Sequence, residues 1–232
     1  MFGRFFGCIA LFGLSVLAQG RVEAGYSLSA NAAGSQSSTL ANVTTETFNS
    51  FAVGNYTTLN TAVGKVTSPG IQVVPADQFG GAGGMGLYVS VGAQSGQLSA
   101  TLALNGPQSY FGFWWSAADS ENEISFYSGG VNGTKVGDFT SAQAFASLTD
   151  PNYFGNPNTN PRQDAGEKFA YFNFVGTGGS TFDTVVFSNL STGTGFETDN
   201  WSVAAVPEPS SLALTATGFL ALLGVARRRR AS

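Results

Sequence analysis

Asp119, Glu121 and Glu123 stand at alternate positions and form the acidic spacing most suited to catalysis in this chain. On an extended segment side chains alternate between faces, so all three would project from one side. Successive members of such a row sit about 6.5–7 Å apart at Cα, from strand rise. Glycoside hydrolysis with retention wants two carboxyl groups about 5–5.5 Å apart, which that geometry does not forbid. Asn122, Ile124 and Phe126 fill the opposite parity and read as the core side, which turns the glutamates toward solvent. A solvated strand face is therefore the favoured reading. A second acidic set comprises Glu46, Glu197 and Asp199, beside Asn200. Hard cations prefer such oxygen ligands, and a structural Ca²⁺ there would pin the first strand to the last. No Asp-rich calcium loop accompanies it. Trp114 and Trp115 are adjacent, so a strand sends one inward and one outward. An outward indole could stack on a sugar ring, with Tyr110 and Tyr127 extending the platform; core or rim packing of both is the favoured reading.

Composition removes most other chemistry. The chain has 232 residues, no histidine and one cysteine, Cys8. A Ser-His-Asp triad and a histidine-ligated zinc site are thus excluded. Residues 25–206 hold twelve acids against four bases (Lys65, Lys135, Arg162, Lys168), a formal charge of −8 against −4 for the whole chain. An anionic body without a basic patch argues against nucleic acid and anionic lipid as partners. The glycine run at 80–86 lacks the Lys-Ser/Thr ending and following helix of a phosphate loop, and reads as a flexible turn.

The elements that must position these residues are strands. Gly, Ser, Thr, Asn and Phe are abundant while Lys, Glu and Leu are scarce, a bias against helix. Residues 98–104 alternate with period two, as a half-buried antiparallel strand does. Segments 87–91, 110–115, 123–127, 169–175, 181–187 and 196–203 read as further strands. Asn105-Gly106-Pro107, the glycine-rich 129–133 and 176–179 read as turns between them. Residues 142–148 suit a helical turn or two, and 149–166, with three prolines, a long exposed loop. The expected fold is all-β, an antiparallel β-sandwich of jelly-roll type.

Both termini carry processing chemistry. Arg4 precedes an apolar segment over 5–18, and Val22-Glu23-Ala24 offers a small-residue cleavage site, so 1–24 is expected to be a signal peptide. At the other end, Pro207-Glu208-Pro209 is held extended by its prolines. An uncharged stretch over 210–226 follows; at about 1.5 Å per residue it would reach roughly 26 Å as a helix, a marginal span. Arg227, Arg228, Arg229 and Arg230 then form a cytoplasmic stop. This order resembles the PEP-CTERM sorting signal of Gram-negative bacteria. The resemblance implies recognition of Pro207, Glu208 and Pro209 by an exosortase, a membrane transpeptidase that removes the anchor. The segments Tyr110-Phe-Gly-Phe-Trp-Trp-Ser-Ala-Ala-Asp119, Asn122-Glu-Ile-Ser-Phe-Tyr127 and Phe196-Glu-Thr-Asp-Asn200 resemble an exosortase-dependent surface-protein family of cyanobacteria and proteobacteria. That likeness implies an extracellular sandwich before the tail and transfers no catalytic residue.

The expected organisation is a signal peptide at 1–24, a polar spacer at 25–42, a β-sandwich at 43–206 and the sorting signal at 207–232. The expected role is non-enzymatic: a protein exported by the Sec translocon, trimmed by signal peptidase and held briefly in the inner membrane. It would then reach the cell surface or extracellular matrix, associated with exopolysaccharide or biofilm and possessing weak glycan affinity. The alternative is a secreted glycoside hydrolase of the jelly-roll laminarinase type, using Asp119, Glu121 and Glu123.

Overall fold

The computed structural model describes residues 22, 23 and 25–204. In chain order the strands are β1 (Val22–Glu23), β2 (Tyr26–Ala30), β3 (Thr44–Glu46), β4 (Gly54–Asn60), β5 (Gly64–Pro75), β6 (Leu87–Gly92) and β7 (Ser99–Gln108). They continue with β8 (Tyr110–Ala118), β9 (Asn122–Ser128), β10 (Thr134–Thr140), β11 (Lys168–Gly176), β12 (Phe182–Asn189) and β13 (Gly195–Ala204). A single α-turn, α1 (Ser141–Ala144), is capped by Thr140, whose side chain accepts from the Gln143 amide while Gln143 reaches back to the Thr140 amide.

All pairings are antiparallel within one sheet ordered β1-β2-β11-β8-β13-β6-β5-β7-β12-β9-β10, with β3 on β13 and β4 on β5. The sheet folds over itself at β5, which pairs with β7 through Gly64–Thr67 and with β6 through Gln72–Pro75. On the opposite side it nearly closes into a barrel. There Phe126 of β9 stacks on Phe174 of β11 at 3.7 Å and 11°, and Phe139 of β10 lies 5.8 Å from the same ring.

Alternation explains the core. Ala100, Leu102 and Leu104 of β7 are buried, whereas Thr101 and Ala103 between them are more open. Strand β8 is buried on both faces. Its inward residues Phe111, Phe113 and Trp115 join the main core, while outward Trp114 packs with Ala117, Phe169 and Tyr171. Phe79 and Ala82 of the β5–β6 connection cover that second cluster. Glycine is needed at 112, where a Cβ would strike the hydroxyls of Tyr110 and Tyr171.

The all-β antiparallel expectation holds, with strands near the positions that alternation indicates. Residues 25–42 are not merely a polar spacer. Tyr26–Ala30 pairs with β11, burying Leu28 and Ala30, because alternate apolar residues there match the edge it completes. Nor does Asn105-Gly106-Pro107 end its strand, since β7 runs on to Gln108. The 149–166 loop is not a free flap. Asn156 Nδ2 donates to the Asp77 and Gln78 carbonyls at 3.0 and 3.1 Å, tying the loop to the β5–β6 connection. Apart from Val22–Glu23, which pairs with β2, the expected leader lies outside the described residues, as does the sorting tail.

Strand β13 carries a register change. Asp199 faces Trp114 and Ser202 faces Gly112, so two residues, Asn200 and Trp201, oppose the single Phe113. This β-bulge shifts the inward parity from Phe196 and Thr198 to Trp201 and Val203. Asn200 takes φ 49°, a left-handed conformation that asparagine tolerates and β-branched residues do not. Asn200→Val is expected to destabilise the fold by about 1–2 kcal/mol or more from this backbone term. Asn200→Gly should lose less, since only the Nδ2 bond to the Gln36 carbonyl at 2.7 Å disappears. Chemical unfolding of both variants measures this; equal losses would refute the bulge argument.

Candidate functional site

The three alternating acids do not form a row, because the chain turns at residues 119–121 before β9 begins. Asp119 Oδ1 accepts from the Glu121 amide at 3.0 Å and from Asn122 Nδ2 at 3.2 Å, which closes that turn. Glu121 projects into solvent, and its carboxyl is held below its ordinary value first by the Ser120 hydroxyl. Glu123 lies on β9 opposite Thr140, where partial burial and then Asp138 raise it. The laminarinase-type array is therefore not assembled. Its expected core side is confirmed, since Asn122, Ile124 and Phe126 are all fully buried.

Both tryptophans are enclosed as well. Trp115 packs on Phe196 with centroids 4.8 Å apart, and Trp114 is sealed on the other face beneath Phe79 and Ala82. With 0% and 1% exposure, neither presents a ring to a sugar, so both pack in the interior, the reading the sequence favoured, and the alternative stacking platform is not formed. The outer face of β8 is covered by connections that alternation cannot anticipate.

The Glu46, Glu197 and Asp199 set is dispersed. Glu46 of β3 stands opposite Trp201 of β13, and its two oxygens accept from the amides of Phe48 at 2.7 Å and Ala62 at 2.8 Å. Asp199 Oδ2 instead accepts from the Ala82 amide at 2.8 Å and Oδ1 from Asn200 at 2.6 Å. These two carboxylates fasten loops. Among the described residues no three acidic side chains converge as metal ligands would, so the expected Ca²⁺ constellation is not formed.

Glu197 belongs to a different assembly. It lines a cleft of about 260 Å³ with Asp119, Glu167, Gln94, Thr194 and Phe79. Asp119 arrives from the end of β8, Glu167 from the long loop just before β11, and Glu197 from the start of β13. Glu197 Oε1 accepts from Gln94 Nε2 at 2.9 Å and Ser90 Oγ at 3.3 Å. A Cβ at residue 195 would collide with that carboxylate, so Gly195 gives Glu197 its room. Asn122 braces the cleft from below: its Nδ2 donates to the Gly195 carbonyl at 2.8 Å, and its Oδ1 accepts from Trp115 Nε1 at 3.2 Å.

Burial dominates the electrostatics. It pushes Glu197 up to about 8, with nearby Asp119 adding to the effect against the Gln94 hydrogen bond. Glu167 rises to about 8, first by burial and then through Asp164. Asp119 rises to about 6, again chiefly by burial. Outside the cleft, desolvation lifts Asp199 to about 7. The cleft thus holds carboxyl groups that retain protons near neutrality, able to donate hydrogen bonds to oxygen-rich ligands or to transfer a proton. Sequence reading did not single out Glu167 or Gln94. The one local signal, Gly193-Thr194-Gly195 before an acidic residue, shows its meaning only when the three segments meet.

Residues 205–230 match the family described as PEP-CTERM protein-sorting motif. No curated protein matches the chain. The matched segment covers Pro207, Glu208, Pro209 and the four arginines, so the protein is exported and sorted to the surface by an exosortase. Among the described residues no helix is long and apolar enough to cross a membrane, and the apolar stretch at 210–226 lies outside them.

The raised carboxyls set a pH dependence. Their folded forms hold protons that unfolded chains release above about 4.5, so stability is fullest in mild acid and falls as pH rises toward 8. Thermal unfolding between pH 4.5 and 8.5 should show this decline, and Glu197→Gln should flatten it. A melting temperature that rises across the window would contradict the assignment.

Proposed function

We propose that the protein is a non-enzymatic component of the extracellular matrix. It passes through an inner-membrane intermediate held by residues 210–226, is cut near Pro207-Glu208-Pro209, and associates with exopolysaccharide. The observation carrying this reading is the sorting motif at 205–230. The folded body supplies two supporting features. Its nearly closed sheet leaves few unpaired strand edges, which favours survival outside the cell. Edge strand β4 exposes Asn55, Thr57, Thr58 and Asn60, side chains suited to hydrogen bonding with sugar hydroxyls without aromatic stacking. Signal peptidase and the Sec translocon act before the exosortase in this scheme. Structural calcium is no part of it.

The acidic cleft favours a second reading, a glycoside hydrolase. Carboxyl groups lifted to about 6 at Asp119 and about 8 at Glu197 differ as a base and an acid do. In that case Glu197 would protonate the leaving oxygen and Asp119 would activate water or attack.

One experiment separates these readings. Purified protein is sedimented with the producer's exopolysaccharide and the supernatant assayed for new reducing ends. Cosedimentation without product is the expected result. Product formation that disappears in Glu197→Gln would replace the first reading by the second. Sorting has its own check: an epitope tag placed after Ser232 should be absent from surface-located wild-type protein and retained when the exosortase is deleted. Its persistence in wild type would count against cleavage.

A further inference from the structure

The strand that begins at the acidic cleft ends at the sorting tail. Gly195 of β13 pairs with Gly92 and abuts Glu197, whereas Ala204 pairs with Tyr110. Following the ladders outward, Tyr110 lies level with Val175, and Gly176 with Tyr26, so β2 enters at the pole from which β13 leaves. The β7–β8 connection at Ser109 and the turns at 129–133 and 177–181 share this pole. Phe182 pairs with Gln108, and Asp183 accepts from the amides of Gly129 and Gly130 at 2.8 Å each. The opposite pole holds the turns at 93–98, 119–122 and 189–194, joined by the Asn122 and Asn189 side chains.

Chain length limits how the body can sit. From Ala204 to Ser210, where the apolar stretch begins, six residues of chain span at most roughly 20 Å. Strand β13 alone, ten residues long, covers about 30 Å. The tether is thus shorter than the body it holds, and the Ala204 pole must lie within reach of the headgroups. Charge favours the same arrangement. The near pole presents exposed Lys65 and Lys135 beside Asp183, while the far pole carries Asp119 and Glu121 with Lys168, its Glu167 and Glu197 holding protons near neutrality. Anionic lipid attracts the pole that carries the two exposed lysines more than the pole that carries Asp119 and Glu121.

We infer that the tethered protein stands on the bilayer with the β7–β8 connection at Ser109 and the 129–133 and 177–181 turns against the phospholipid headgroups and its carboxyl-lined cleft facing away. This rests on the reading that 210–226 anchors the intermediate. The near pole is a transient lipid-contact surface. The cleft remains open to soluble ligands or matrix while the exosortase works at the bilayer.

The test uses the full chain with Cys8→Ser, which removes the sole cysteine. Single cysteines are introduced at exposed Thr177→Cys or Asn132→Cys on the near pole, and at exposed Ser120→Cys or Thr192→Cys on the far pole. Each is labelled with a fluorophore and reconstituted into phosphatidylglycerol–phosphatidylethanolamine vesicles carrying a nitroxide headgroup quencher. Flotation with the vesicles and quenching several-fold stronger at 177 and 132 than at 120 and 192 is the expected result. Flotation with equal or inverted quenching would overturn the orientation and leave anchoring intact. Failure to float would overturn anchoring and the orientation with it.

Discussion

The bulge at Asn200–Trp201 is the constraint on which both the core and the cleft depend. Strand β13 lies between β8 and β6, and later beside β3, so it must satisfy neighbours on both flanks along its length. An unbroken alternation starting at Phe196 would place Asn200 and Ser202 inward. The extra residue instead turns Trp201 inward, where it stacks on Phe187 at 4.6 Å and 8° and meets Phe48 edge-on at 4.9 Å. Burying aromatic rings of this size dominates the energetics of such a core. The same step leaves Glu197 and Asp199 together on the outer side, where one lines the cleft and the other holds a loop. One inserted residue thus separates an aromatic interior from an acidic exterior on the same strand.

The outer face of β8, β11 and β13 acts as a second, smaller interior. It is roofed by the β5–β6 connection and the long loop before β11, and each connection is fixed by polar bonds to a strand or to the other loop. Asp199 receives the Ala82 amide, and Asn156 spans to Asp77 and Gln78. Such bonds satisfy backbone groups that the roof would otherwise bury unpaired. Trp114 and Tyr171 gain a dry environment in return. Tyr171 loses easy ionisation, its phenol pushed well up chiefly by burial.

Much of this was legible in the sequence, for physical reasons that differ by region. Period-two patterning locates a strand wherever one face meets the core and the other meets water, as in β7 and β9. It fails for β8, where Tyr110 through Ser116 are buried whichever way they point, so an outward tryptophan need not be exposed. It also fails at the turn of 119–121, where treating Asp119 as the first residue of a strand aligns three carboxylates that the chain separates. The parity break from Phe196 and Thr198 to Trp201 and Val203 was present in the letters and is the pattern a bulge leaves. The cleft was not legible, because Asp119, Glu167 and Glu197 come from segments whose meeting depends on the fold-over at β5 and the path of a long loop.

Placing protonatable carboxyls under cover works against stability at neutral pH. Desolvation favours the neutral acid, so Glu197 and Glu167 hold their protons when an exposed carboxyl would not. A chain selected only for a durable body would place amides or apolar residues there, as it does at Asn122, whose side chain makes five hydrogen bonds to four residues. Local choices that oppose the global fold concentrate where something other than folding is under selection. Two kinds of residue thus share the same pole: amides that are fully bonded and brace it, and acids that border open space. That division separates the bonded scaffold of the pole from the carboxyls that line its cleft.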